Sequence, residues 1–158
     1  MGKTQFTVCA VFVFLFTFPA ASHAGYSGGT GKPNSPFEIG TVADWQQLMD
    51  TPGEWDKHFV LIADLDMNGV AMSPVGNDPN NFTGVFYGKG HAIRNADINT
   101  PDSDYVGLFG YVGQEGAILN LGVEDVTISG NDYVGGLVGR NEAGGLPPVG
   151  SCLLLGLN

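Results

Sequence analysis

The chain has 158 residues, with 16 acidic against 6 basic ones and a formal charge of −10. That balance excludes the basic footprint of a nucleic-acid binder or of a protein that sits on anionic lipid. Its 25 glycines follow no Gly-X-Y period, which excludes collagen and indicates many short strands joined by tight turns.

Residues 1–24 read as a secretory signal peptide. Lys3 supplies the positive start, residues 8–18 form an uncharged apolar run too short to span a bilayer, and Ser22-His23-Ala24 offers the small residues a signal peptidase reads. The expected location is therefore secreted or cell-surface, with no membrane span in the mature chain. Cleavage would leave Cys152 as the one cysteine, so no internal disulfide is expected.

Residues 25–35 are rich in Gly, Ser and Pro and predict a flexible leader. Residues 36–39 predict a first strand. Thr41 and Asp44 then form an approximate capping box for a helix whose Trp45, Leu48 and Met49 share one face, and Pro52-Gly53 ends it. A one-sided helix here fits the terminal cap that stacked repeats require. Residues 58–67 follow, with a solid apolar run at 59–63 that predicts a buried strand. Further strands are expected at 82–88 and 92–98. The second would set Ala92, Arg94, Ala96 and Ile98 on one face and Ile93, Asn95 and Asp97 on the other.

The strongest signal is an internal repeat. Tyr105-Val-Gly-Leu-Phe-Gly110 returns as Tyr133-Val-Gly-Gly-Leu-Val-Gly139, and an acid, Asp104 or Asp132, precedes each copy. β-type runs at 117–123 and 126–128 lie between them. A unit this small, with no helix, cannot bury its own apolar face and must stack on neighbours. The fold class predicted is all-β, a solenoid, over residues 36–145. The second copy is longer by Gly136. A bulge there would keep Leu137-Val138 facing as Leu108-Phe109 do. Residues 146–158 depart from the pattern, because Pro147-Pro148 falls where the first copy predicts a strand. They are expected to form an atypical tail, either an improvised cap or the cut end of a longer array.

The second copy, Tyr133 to Gly139, resembles the signature of the GLUG motif repeat, found in secreted and surface proteins of bacteria. These include adhesin-like proteins and some IgA-specific metallopeptidases. The lead-in is similar too: Pro36-Phe37-Glu38-Ile39, Asp44-Trp45, residues 59–66, and Phe82-Thr-Gly-Val-Phe-Tyr-Gly-Lys-Gly-His91. The resemblance implies a right-handed parallel β-helix and an extracellular role. It makes Tyr105, Gly107, Gly110, Tyr133, Gly135, Gly136 and Gly139 structural signature residues, and it brings no catalytic residue.

Candidate chemistry is sparse. Asp64-Leu-Asp66-Met-Asn68-Gly69 matches the opening of a calcium loop, but Val75 stands where the bidentate Glu belongs. The same alternation suits a strand end with Leu65 and Met67 inward. On one strand face Asp64 and Asp66 would lie about 6–7 Å apart, near the spacing of an inverting glycosidase pair. If the repeats stack, Asp104 and Asp132 fall about 5 Å apart, to be absorbed by turn hydrogen bonds or bridged by Ca²⁺. Ca²⁺ is the one cofactor left open. His58 and His91 stand in no H-E-x-x-H, and neither a G-x-S-x-G elbow nor a P-loop occurs. Trp45 and Trp55 are read as packing rather than as a sugar platform. The function expected is a non-enzymatic module for adhesion or display of a binding surface, with a glycan, a surface protein or further repeats as partner. The alternatives are a polysaccharide-active β-helix hydrolase or lyase, its remnant, or a truncated piece of a larger repeat protein.

Overall fold

The computed structural model describes residues 25–142 and the backbone of residues 153–157. The signal-peptide expectation, and most of the tail, lie outside the described residues.

The described chain is all-β apart from one α-helix and a single 3-10 turn at Pro52–Glu54. Every pairing between its strands is parallel. The first sheet orders β1 (Phe37–Ile39), β2 (His58–Leu61), β4 (Val85–Tyr87) and β8 (Ala117–Leu119). A second runs from β3 (Leu65–Asp66) through β5 (Ala92–Arg94) to β9 (Gly122–Ser129) and β11 (Leu153–Leu157), with β6 (Asp97–Asn99) also on β9. The third pairs β7 (Phe109–Val112) with β10 (Val138–Asn141) and is extended by Val75, which bridges Phe109.

Register places like on like. Phe37 lies opposite Phe59, Phe59 opposite Phe86, and Phe86 opposite Ile118. The first three rings form an inward column, with centroids 5.6 Å and then 6.5 Å apart. Phe82 and Phe109 extend this core at 5.1 Å. Each strand is too short to be stable alone; ladder pairing plus this shared aromatic core makes it so.

The helix α1 spans Val42–Asp50, and its capping box is complete. The Asp44 carboxylate accepts from the Gly40 and Thr41 amides at 2.9 and 2.8 Å and from the Ser27 hydroxyl at 2.7 Å, while Thr41 Oγ1 accepts from the Asp44 amide. Asp44 is only 6% exposed. Burial pushes its carboxyl up, but these donors outweigh it and hold the group below its ordinary value of 3.8. Trp45, Leu48 and Met49 are buried, Leu48 O accepts from Trp55 Nε1 at 2.8 Å, and Met49 Sδ accepts from the Ser73 amide. Asp44→Ala is expected to cost about 2 kcal/mol, because two amides lose a charged acceptor. A lowered folded pKa means the carboxylate's contribution is complete above the unfolded value, about pH 4, and is lost as pH falls through the folded one. Urea melts from pH 7 to 3 check the sign: the wild type weakens in acid more steeply than Asp44→Asn.

Several boundaries differ from the sequence expectation, some of them at left-handed residues. Asn95, Asn120 and Asp125 adopt left-handed φ values of 56°, 50° and 50°. Each turns a corner and breaks the period of two. The strand expected at 92–98 is thus two strands, β5 and β6, and Ile93, Ala96 and Ile98 all point into the core. Likewise Val123 and Val126 are both buried on either side of Asp125. The run at 117–123 bends at Asn120, and 58–67 splits into β2 and β3. Of 82–88 only Val85–Tyr87 is a strand, with Phe82 as a single bridge to Val112. Residues 25–35 are not loose: Gly28 pairs antiparallel with Glu38, and Tyr26 is buried against Phe37, 4.4 Å between centroids. Beyond the two prolines a strand does form, as β11, in parallel register with β9.

Candidate functional site

The signature residues lie where the two copies touch. Tyr105 and Tyr133 both hold left-handed φ, 59° and 56°, and Val106 bridges Val134 in parallel. Their rings stack at 5.0 Å and 15°. The glycines are required by close backbone approach. A Cβ on Gly110 would fall 2.5 Å from the Gly76 carbonyl oxygen and closer still to that of Tyr105. On Gly139 it would fall 2.5 Å from Tyr133 O, the same place one copy later, and on Gly107 2.6 Å from Gly135 O. On Gly135 it would overlap the Val138 carbonyl. The register carries the extra residue at Gly136: Val106 sits opposite Val134, yet Phe109 sits opposite Val138.

Arg140 completes this cluster. Its guanidinium lies 4.9 Å from the Tyr111 ring centroid, 5.7 Å from Tyr105 and 5.6 Å from Tyr133, and it pairs with Glu142. Tyr111 is the register partner of Arg140 and shares a hydrogen bond with Glu142, which holds the Glu142 carboxyl low. Sequence reasoning missed Arg140. The signal was available: Tyr111 and Arg140 each follow the last glycine of their copy, so stacking sets a cation on a ring.

Three of the calcium candidates, Asp64, Asp66 and Asp104, accept from protein donors, while Asn68 and Asp132 take part through their backbone amides. Asp66 Oδ1 accepts from the Asn68 amide at 3.0 Å and from Asn95 Nδ2, 29 residues on, at 2.9 Å. Asp104 Oδ1 accepts from Asn131 Nδ2 at 2.9 Å and from the Asp132 amide, 28 residues on, at 3.1 Å. Asp64 Oδ1 accepts from the Ala92 amide, 28 residues on, at 3.0 Å. A recurrent device emerges: an aspartate takes a donor from a residue 27 to 29 positions further along the chain. No group of three or more His, Cys, Asp and Glu converges for a metal among the described residues. Millimolar calcium is expected to leave the thermal midpoint unchanged, whereas Asp104→Ala should lower stability by about 1 kcal/mol. Parallel thermal scans of the two proteins, with and without calcium, check both.

Asp64 opens a charge ladder. Its Oδ2 accepts from Arg94 Nη1 at 3.0 Å, and Arg94 Nε donates to Glu124 Oε2 at 2.5 Å. His91 Nδ1 lies 3.1 Å from Asp64 Oδ1. The Ala92 amide first, then His91 and Arg94, hold the Asp64 carboxyl below its ordinary range. Asn95 and the Asn68 amide do the same for Asp66. Both are therefore ionised at neutral pH, which is the wrong state for a general acid. Beside the ladder is an open cleft of about 400 Å³, lined by Tyr87, Lys89, Asn120 and the Asp64–Arg94–Glu124 row.

Fold and charge together define an acidic all-β chain with parallel strand pairing. The chain is 32% identical over 146 residues to a Gly-rich membrane protein of Evansella cellulosilytica, covering 85% of this chain and 17% of that protein. It is 31% identical over 123 residues to halomucin of Haloquadratum walsbyi, covering 72% of this chain and 1% of that protein. It thus spans a small part of the length of the relatives it matches. No family profile and no solved structure matches it. No helix among the described residues is long and apolar enough to cross a membrane.

Proposed function

We propose that this chain is a binding-surface module of a secreted or surface repeat protein, built as a right-handed parallel β-helix of GLUG-like repeats. The observation that carries the reading is the stacking of Tyr105 on Tyr133 within an all-parallel register, because stacked copies create long, regular outer faces. The names of the two relatives, one a membrane protein and one a halomucin, favour the cell exterior. The module adheres or displays; it does not cleave. Support for that comes from the two aspartates that resemble a glycosidase pair, since both are held ionised by neighbouring donors.

A polysaccharide panel tests the reading. Purified protein should bind a glycan or a surface protein without turnover. If it cleaves a polysaccharide and Asp64→Asn/Asp66→Asn does not, the enzyme reading replaces this one.

A further inference from the structure

We propose that the cleft beside the Asp64–Arg94–Glu124 ladder is a saccharide site that takes a pyranose bearing a carboxylate. This rests on the reading of the chain as a binding module and names the ligand class of one face.

Tyr87 is the platform. It alternates with buried Phe86, so its ring faces out, 38% exposed. Among the described residues its ring contacts no other ring and its hydroxyl makes no hydrogen bond. The other four tyrosines all have ring partners: Tyr26 on Phe37, Tyr105 on Tyr111 and Tyr133. An exposed aromatic ring lining a cleft suits a ligand with an apolar face and a polar rim. A pyranose has that shape. Val60 and Leu119 are the register partners of Tyr87 on either side, so the platform lies within an apolar strip.

The cleft's rim is polar and partly pre-set. Arg94 is clamped between Asp64 and Glu124, so those carboxylates meet hydroxyl groups already oriented. Asn120 adds an amide. Lys89 is the open charge: Gly88 and Gly90 flank it, its φ is 53°, and it forms no ion pair among the described residues. Two cations and two acids line the cleft, so it is neutral within a chain of charge −10. An acidic sugar is repelled over most of this surface and tolerated here, where Lys89 can meet its carboxylate.

Titration with oligogalacturonate, and with a cello-oligosaccharide as neutral comparison, tests the site. The wild type should bind the acidic probe the tighter. Tyr87→Ala should weaken that binding by about tenfold or more with an unchanged thermal midpoint. Lys89→Asn keeps a residue that tolerates left-handed φ, and should remove the preference for the acidic probe. Binding that survives Tyr87→Ala, or a preference for the neutral chain, would overturn the site while leaving the module reading intact. Binding of neither probe would overturn the saccharide assignment, and the polysaccharide panel would then judge the module reading separately.

Discussion

Trp45→Ala should destabilise the protein by about 3–5 kcal/mol, the range for removing a large, fully buried aromatic. Trp45 is 0% exposed, and its ring meets Phe86 at 5.6 Å and Phe109 at 5.8 Å, both edge-on. Those two phenylalanines belong to different sheets, so the indole ties the helix to both. Relaxation cannot close the gap cheaply, because the surrounding rings are themselves fixed by parallel register. Trp45→Phe should recover much of the loss. It leaves a smaller void and removes an indole N–H that finds no acceptor in the core. Urea denaturation checks both: the midpoint should fall steeply for Ala and modestly for Phe, with the slope unchanged. Deleting residues 41–53 goes further and should give an insoluble product, because it uncovers the core that Trp45 and Leu48 close.

The second large effect is expected at Gly110. An alanine there drives its methyl group into the Tyr105 and Gly76 carbonyls, and neither oxygen can yield alone. The Gly110 amide is bonded to Val75 O at 2.8 Å, and Tyr111 to Gly76 O at 3.2 Å. Any retreat therefore breaks the junction of the third sheet. A loss of about 3 kcal/mol is expected, at the upper end of overpacking costs. Gly53→Ala is the matched control. Its added methyl group meets nothing within 4 Å, so the change should stay within about 0.5 kcal/mol. Equal losses at the two positions, read from the same denaturation curves, would mean that close approach is not what the signature glycines provide.

What could be read in advance follows the range of the interactions involved. The capping box at Thr41 and Asp44 is local chemistry, so the helix was legible within a residue. The repeat was legible because its glycines and tyrosines answer to a contact with their own copies. Corners were not, because one left-handed residue resets the alternation without altering composition. Asn95 and Asp125 did carry a hint, since Asn and Asp tolerate that conformation best. The docking of Tyr26 on Phe37, in a stretch whose composition suggests a loose leader, was invisible because Gly28 and Glu38 must pair first. The cleft gathers residues 64, 87, 89, 94, 120 and 124, and no pattern along the chain joins them.

A pair of engineered cysteines tests the stacked register most directly. Asp97 and Thr127 are both exposed and sit directly opposite one another between β6 and β9. In a Cys152→Ser background, Asp97→Cys/Thr127→Cys should close into a disulfide under mild oxidation with the fold intact, because parallel register neighbours fall within bridging distance. Asn99→Cys/Thr127→Cys, two residues out of register, should remain reduced. Closure of the second pair but not the first would contradict the parallel stacking on which the fold, the signature glycines and the cleft all stand.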